Sequence, residues 1–351
     1  MRRGLATAAA VAWASAAAAA PQACKLEKLA ELPVRFEGNR ALIDAQLNGK
    51  PATLMLDTGA EISVLFARAV GAYGLKPVDT HRWSLSGVGG SRRASEVTIG
   101  DLRFGQFHGR DVTLLVIGDQ ADKTRETGFQ VAGLIGRDQL HGLDLEFDLA
   151  AKTVRLFRDQ GCGATSLAYW TDVPGVMPMQ SDSSRLAPFE VMVKLNGHPV
   201  RAIVDSGAPT SIVTDGAAAA AGVSPRTLSY TDHEFVGGIG AGGRAVTTAT
   251  FDKVEVSDEA TAHARLRVAD MFRDTQSAEL GTRVASVSSV WPSMLLGADF
   301  LRAHRVLIAP GQNRIYFTYN GGPIFQVVGP VAASTAAAEP TKSADVAKPK
   351  S

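Results

Sequence analysis

The chain has 351 residues, 45% of them hydrophobic, and a formal net charge of +1. That length supports two domain-sized cores, and the near-neutral balance excludes the basic footprint of a nucleic-acid binder. No run of like charge marks a tail for an acidic partner, and the 35 glycines suit many short strands and turns.

In chain order, the first segment looks like an export signal. Met1-Arg2-Arg3 is a positive start, and residues 4–20 form an uncharged, alanine-rich run. The run is marginal in length and too weakly apolar for a stable membrane span. Small residues around Ala18 to Ala23 permit cleavage. Residues 1–23 are therefore expected to be a signal peptide, and the mature chain periplasmic or secreted. The plain alternative is a retained amphipathic extension. The chain has two cysteines, Cys24 and Cys162. In an exported chain an even count suggests a disulfide. A lipidated Cys24 with a free Cys162, or two unpaired thiols, are the alternatives.

The middle of the chain says nearly the same thing twice. Leu54-Met55-Leu56-Asp57-Thr58-Gly59-Ala60 recurs as Ala202-Ile203-Val204-Asp205-Ser206-Gly207-Ala208, 148 residues on. An Asn-Gly pair precedes each copy at the same distance, Asn48-Gly49 and Asn196-Gly197. Such a pair supplies the positive φ angles of a two-residue hairpin turn. Ser63 and Ser211 follow each acid and lead into alanine-rich stretches that read as short helices. Glycine-rich segments come next, Gly87-Val88-Gly89-Gly90 and Gly237-Gly238-Ile239-Gly240. Each copy closes on two apolar residues and a glycine, Leu134-Ile135-Gly136-Arg137-Asp138 and Leu295-Leu296-Gly297-Ala298-Asp299. The period is too long for a solenoid repeat, so each copy should be a lobe.

Strand patterns dominate both copies. Residues 97–104 and 143–149 alternate at period two, and 153–157, 306–309 and 315–318 read as further strands. The expected division is a first lobe over 24–163, a linker over 164–182 with Pro174 and Pro178, and a second lobe over 183–328. From residue 329 the composition cannot bury enough surface to order itself, which predicts a disordered tail over 329–351.

Each copy places an acid at the end of an apolar run, where burying an ionised carboxylate is costly. Two such acids in matching contexts suggest carboxylates that meet and share a proton. A lone Asp after a strand is usually a turn residue, but that reading does not account for the repeated surroundings. Other chemistry is poorly supported. Seven histidines are scattered without a His-Glu-x-x-His helix, no Gly-x-Ser-x-Gly elbow occurs, and the glycines from Gly237 lack a Gly-Lys-Ser/Thr ending. No metal and no cofactor are expected.

Asp57-Thr58-Gly59-Ala60 and Asp205-Ser206-Gly207-Ala208, each followed by an apolar-apolar-Gly element, resemble the aspartic peptidases. The first copy with Leu134 to Asp138 is most similar to the retropepsin branch, here with both lobes in one chain. The resemblance covers roughly residues 32–317. It implies an all-β, bilobal fold of two barrel lobes and an endopeptidase in which Asp57 and Asp205 activate a water. It implies that Thr58 and Ser206 bond across the lobe interface, and that Gly59 and Gly207 bring backbone close to the acids. Gly87, Gly89, Gly90, Gly238 and Gly240 would belong to hairpin flaps over a peptide or protein substrate. An ordinary surface hairpin is the bland reading of those segments. Pepsin-type flaps usually carry a tyrosine, and neither segment has one; Trp83 and Phe235 lie just before them. The copies differ at Glu61 against Pro209 and at Arg137 against Ala298. Those differences are expected to shape each lobe without touching the acids. One chain supplies both acids, so a monomer is expected. The rival class is a non-catalytic protein that holds a peptide or cell-wall fragment on the same fold.

Overall fold

The computed structural model describes residues 24–87, 90–118, 131–180, 186–223, 234–236, 244–271 and 292–325. The expected signal peptide, the tail from 329, and Gly89, Gly238 and Gly240 lie outside the described residues. Among the described residues no helix is long and apolar enough to cross a membrane.

The first half opens with β1 (Lys25–Glu37), β2 (Arg40–Leu47) and β3 (Lys50–Leu56). Short β4 (Val64–Phe66) leads into α1 (Ala67–Ala72). Long β5 (Val78–Gly87), β6 (Gly90–Phe104) and β7 (Phe107–Ile117) follow. Then come β8 (Val131–Ile135), α2 (Arg137–Leu140), β9 (Asp144–Asp148) and β10 (Thr153–Gln160). After β11 (Gly175–Pro178), the second half runs through β12 (Glu190–Leu195), β13 (His198–Val204), β14 (Ile212–Val213) and α3 (Asp215–Ala220). It continues with β15 (Glu234–Val236), β16 (Arg244–Val256), β17 (Glu259–Val268), β18 (Met294–Leu296) and α4 (Ala298–Ala303). It ends with β19 (His304–Ala309) and β20 (Arg314–Tyr319).

The internal duplication is structural. In the first half the strands run β2-β3-β8-β4-β7-β6-β5, and β2 also pairs with β6 to close a barrel. In the second they run β12-β13-β18-β14-β17-β16-β15, closed by β12 on β16. Each barrel contains the same two parallel pairs, β3–β8 with β4–β7 and β13–β18 with β14–β17. The two Asn-Gly turns set the register. Asn48 and Gly49 have φ of 50° and 78°, and Asn196 and Gly197 have 49° and 82°. Each Asn side chain then accepts from the strand that closes the barrel, Asn48 Oδ1 from Asp101 N and Asn196 Oδ1 from Lys253 N, both at 3.0 Å.

Between the barrels lies a third layer. The order β11-β20-β19-β9-β10-β1 makes six strands drawn from both ends and the middle of the chain. The seam is β19 on β9, with Val306 opposite Phe147 and Leu307 opposite Glu146. Sequence reasoning placed β19 and β20 with the second lobe and read 164–182 as linker. The structure hydrogen-bonds both strands into the sheet of the first half, and the linker contributes the edge strand β11. Edge position explains how Pro178, which lacks an N–H, ends a strand there. Buried Glu146 ties the seam, accepting from Arg155 Nη1 at 2.5 Å, Arg305 Nε at 3.0 Å and Tyr169 Oη at 2.7 Å.

Cys24 and Cys162 are bonded, closing a sequence separation of 138 residues. Cys162 is buried among Phe157, Leu167 and Tyr316 on one face of the six-stranded sheet. A loop that long restricts the unfolded chain strongly, worth up to ~3–5 kcal/mol by loop entropy. Chemical unfolding should therefore show the Cys24→Ser/Cys162→Ser double variant less stable by up to that amount. An unchanged midpoint would show that the bond contributes nothing to the folded state.

Candidate active site

Asp57 and Asp205 end β3 and β13, the inner strand of each barrel. Each is placed by the parallel partner strand: Asp57 N donates to Ile135 O at 3.0 Å, and Asp205 N donates to Leu296 O at 2.9 Å. Both loops then fold back under identical restraints. Ala60 O accepts from Arg137 N at 3.0 Å, and Ala208 O accepts from Ala298 N at 2.8 Å. Ser63 Oγ donates to Asp138 at 2.6 Å while accepting from Gly136 N at 2.9 Å. Ser211 Oγ donates to Asp299 at 2.7 Å while accepting from Gly297 N at 2.9 Å.

The loops interlock across the barrels. Thr58 Oγ1 donates to Val204 O at 2.7 Å and accepts from Ser206 N at 3.0 Å. Ser206 Oγ donates to Leu56 O at 2.9 Å and accepts from Thr58 N at 3.0 Å. Both hydroxyls are fully enclosed. The exchange brings each glycine against the opposite acid. A Cβ on Gly59 would stand 2.3 Å from Cγ of Asp205, and one on Gly207 would stand 2.4 Å from Cγ of Asp57. Only glycine fits at either position.

The two carboxyls are half-buried, so water reaches their outer edges although protein surrounds the rest. Burial, followed by repulsion from Asp205, pushes Asp57 up to about 7. Burial also raises Asp205, opposed by N–H donation from Ala208 and Gly207, a hydrogen bond from Asp57 and the charge of Arg137. Both acids are thus held above the ordinary carboxylate range, and the proton of one is harder to remove while the other is charged. An arrangement of this kind offers a base and an acid side by side.

Of the expected flap residues, Gly87 and Gly90 pair at the tip of the β5–β6 hairpin. Trp83 and Leu85 of that hairpin pack on the same buried cluster, around Leu42, Met55 and Leu134, as Ala60 and Ile62 from the loop after Asp57. Trp83 is also held by Glu96, to which its Nε1 donates. Gly89, Gly238 and Gly240 fall outside the described residues. Among the described residues no three His, Cys, Asp or Glu side chains stand together as metal ligands would.

Sequence reasoning missed two contacts. Arg137 was expected to leave the acids alone, yet its Nη1 donates to Thr58 O at 2.9 Å and Gly59 O at 2.8 Å. The signal was an arginine inside an otherwise buried apolar-Gly element. Asn39, in the β1–β2 turn, donates through Nδ2 to Pro209 O at 2.8 Å and braces the loop after Asp205. No local pattern marks that contact, because 170 residues separate its partners.

Replacing Thr58 by the nearly isosteric Val removes the hydroxyl and orphans Val204 O and Ser206 N, both enclosed. Each lost partner costs ~1–3 kcal/mol. Denaturant unfolding should place Thr58→Val roughly 2–5 kcal/mol below wild type. A loss under about 0.5 kcal/mol would mean that the exchange does not join the barrels.

A protein-family profile described as aspartyl protease matches the chain twice, over residues 43–139 and 191–300. Each match contains one of the two acids and one barrel. No curated protein matches the chain.

Proposed function

Because the chain belongs to the aspartyl protease family, we propose that it is an endopeptidase in which Asp57 and Asp205 together hydrolyse peptide bonds. The observation that carries this reading is the pair itself, two half-buried acids each crowded by the other's glycine and both raised above the ordinary carboxylate range by burial. The ionised member takes a proton from a water held between them as its oxygen adds to the scissile carbonyl carbon. The protonated member gives its proton to the carbonyl oxygen. The gem-diol then collapses: the first acid returns its proton to the leaving nitrogen, the C–N bond breaks, and the second recovers a proton from one hydroxyl. The dyad ends as it began, without a covalent intermediate.

One chain supplies both acids, so the active unit is a monomer acting on peptides or proteins. The Cys24–Cys162 bond supports an oxidising compartment, and with it export to a periplasm or to the exterior. The β5–β6 hairpin serves as a flap; its Trp83 and Leu85 share a buried apolar cluster with Ala60 and Ile62 of the loop after Asp57.

Cleavage of a diverse peptide library, read by mass spectrometry, tests the reading. Asp57→Asn and Asp205→Asn should each lower kcat by ~10³-fold or more, and the double variant should be hardly worse, because the acids act as a unit. The pH sign follows from the raised acid: activity needs the proton that Asp57 holds below about 7, so the alkaline limb falls as pH rises through that value. An undiminished rate at strongly alkaline pH would contradict the dyad, and so would full activity in either single variant.

A further inference from the structure

We propose that Asn39 is a positioning residue for Asp205: from the first barrel it supplies the bond that holds the loop after Asp205, whereas the loop after Asp57 takes the matching bond from its own barrel. The proposal rests on the reading of the two acids as a catalytic dyad and names a residue on which their alignment depends.

The two loops are held at matching points. Ala60 O accepts from Arg137 N at 3.0 Å, and Ala208 O accepts from Ala298 N at 2.8 Å. Ser63 N donates to Asp138 at 2.8 Å, and Ser211 N donates to Asp299 at 2.9 Å. Between these points each copy has one further carbonyl, Glu61 O and Pro209 O, and here the copies part. Glu61 O accepts from Asp138 N at 3.1 Å, a backbone bond inside the first barrel. Among the described residues no backbone N–H bonds to Pro209 O. Asp299 N, the counterpart of Asp138 N, faces its own carboxylate instead. Pro209 O takes its bond from Asn39 Nδ2 at 2.8 Å.

Asn39 sits in the two-residue turn between β1 and β2, where Glu37 pairs with Arg40 and Gly38 takes a φ of 59°. The turn belongs to the first half, so the bond crosses between the halves of the chain, 170 residues apart in sequence. The reverse brace has no side-chain donor, because Ala187 stands 148 residues on from Asn39. The bond bears on the acid through a short path. Pro209 follows Ala208, whose N–H donates to Asp205 at 3.1 Å. The proline ring fixes its own φ, so few free torsions separate the held carbonyl from that donor. Without the brace the loop loses a tie, Ala208 N moves, and Asp205 loses donation that favours its carboxylate form. The loop after Asp57 keeps its backbone bond to Asp138 N and is unaffected.

Two measurements test the brace with Asn39→Ser, a side chain that suits a turn but is too short to reach Pro209 O. First, kcat on a cleaved peptide should fall ~10-fold or more while KM stays within ~2-fold, the mark of misplaced chemistry and not of lost binding. A kcat within ~2-fold of wild type, or a rise in KM alone, overturns the proposal. Second, carboxyl ¹³C NMR of aspartate-labelled full-length chains separates the two acids. In Asp57→Asn only Asp205 of the pair remains, and adding Asn39→Ser should raise its titration by ~0.5–1 pH unit. In Asp205→Asn only Asp57 remains, and the same addition should leave it in place. Arg137, whose charge also acts on Asp205, is unchanged in every chain. Equal movement of both acids, or any pattern other than a rise at Asp205 alone, overturns the proposal. Should Asn39→Ser fail to fold, Asn39→Gly, which a two-residue hairpin turn also accepts, carries the same comparison. A wild-type chain that cleaves no peptide would overturn the peptidase reading instead, while the titrations would still decide whether Asn39 acts on Asp205.

Discussion

Four hydrogen bonds between Thr58 and Ser206 fix the centre of this molecule. Each hydroxyl gives one bond to a backbone carbonyl of the opposite barrel and takes one from the opposite loop. Because all of these groups are buried, the exchange either forms completely or leaves several polar atoms without partners. It holds the inner strands of the barrels at one separation, and everything at the site follows from that separation. The glycines fit, the carboxyls meet, and the second proton becomes costly to remove. Neither barrel could set this geometry alone.

The same constraint works against the fold. Acids that would ionise near pH 4 in water are held above that value by burial, which needs a rigid frame around them. The frame is layered. Ser63 with Asp138 and Ser211 with Asp299 lock each loop to the short helix beside it, α2 and α4. The six-stranded sheet then joins the barrels at β9 and β19, with Glu146 bridging arginines from both halves of the chain. Asp144, also on β9, is buried beside Asp159, and among the described residues no cation pairs with it; burial, followed by repulsion from Asp159, pushes it up to about 7. That acid, like Asp57, favours the folded state fully only below about pH 4, where the unfolded chain is protonated too, and the contribution is lost as pH rises to about 7.

Much of this was legible in the sequence because it is local. Asn-Gly fixes a hairpin register within four residues, alternation marks β6 and β9, and the repeated Asp-Thr/Ser-Gly sits at the end of an apolar strand in both copies. What was not legible is non-local. The pairing of β19 with β9 links residues near 305 and 148, and no periodicity in either strand says which edge it will meet. The segment 164–182 looked like linker because its prolines punctuate it, yet an edge strand tolerates them. Arg137 was set aside as a lobe-specific difference because its partners are backbone carbonyls, which leave no trace in side-chain patterns. In this duplicated chain a place where the copies differ, Arg137 against Ala298, still braces the backbone of the loop after Asp57.

The central claim is that one active site is made from both barrels of a single chain. Titration with a tight statine-type peptide, whose hydroxyl mimics the tetrahedral adduct, measures this directly by calorimetry at a protein concentration set by absorbance. The account predicts one inhibitor bound per chain, with the sample monomeric throughout. A stoichiometry of one inhibitor per two chains, or binding that requires dimerisation, would mean that acids from separate molecules form the site, and would contradict it.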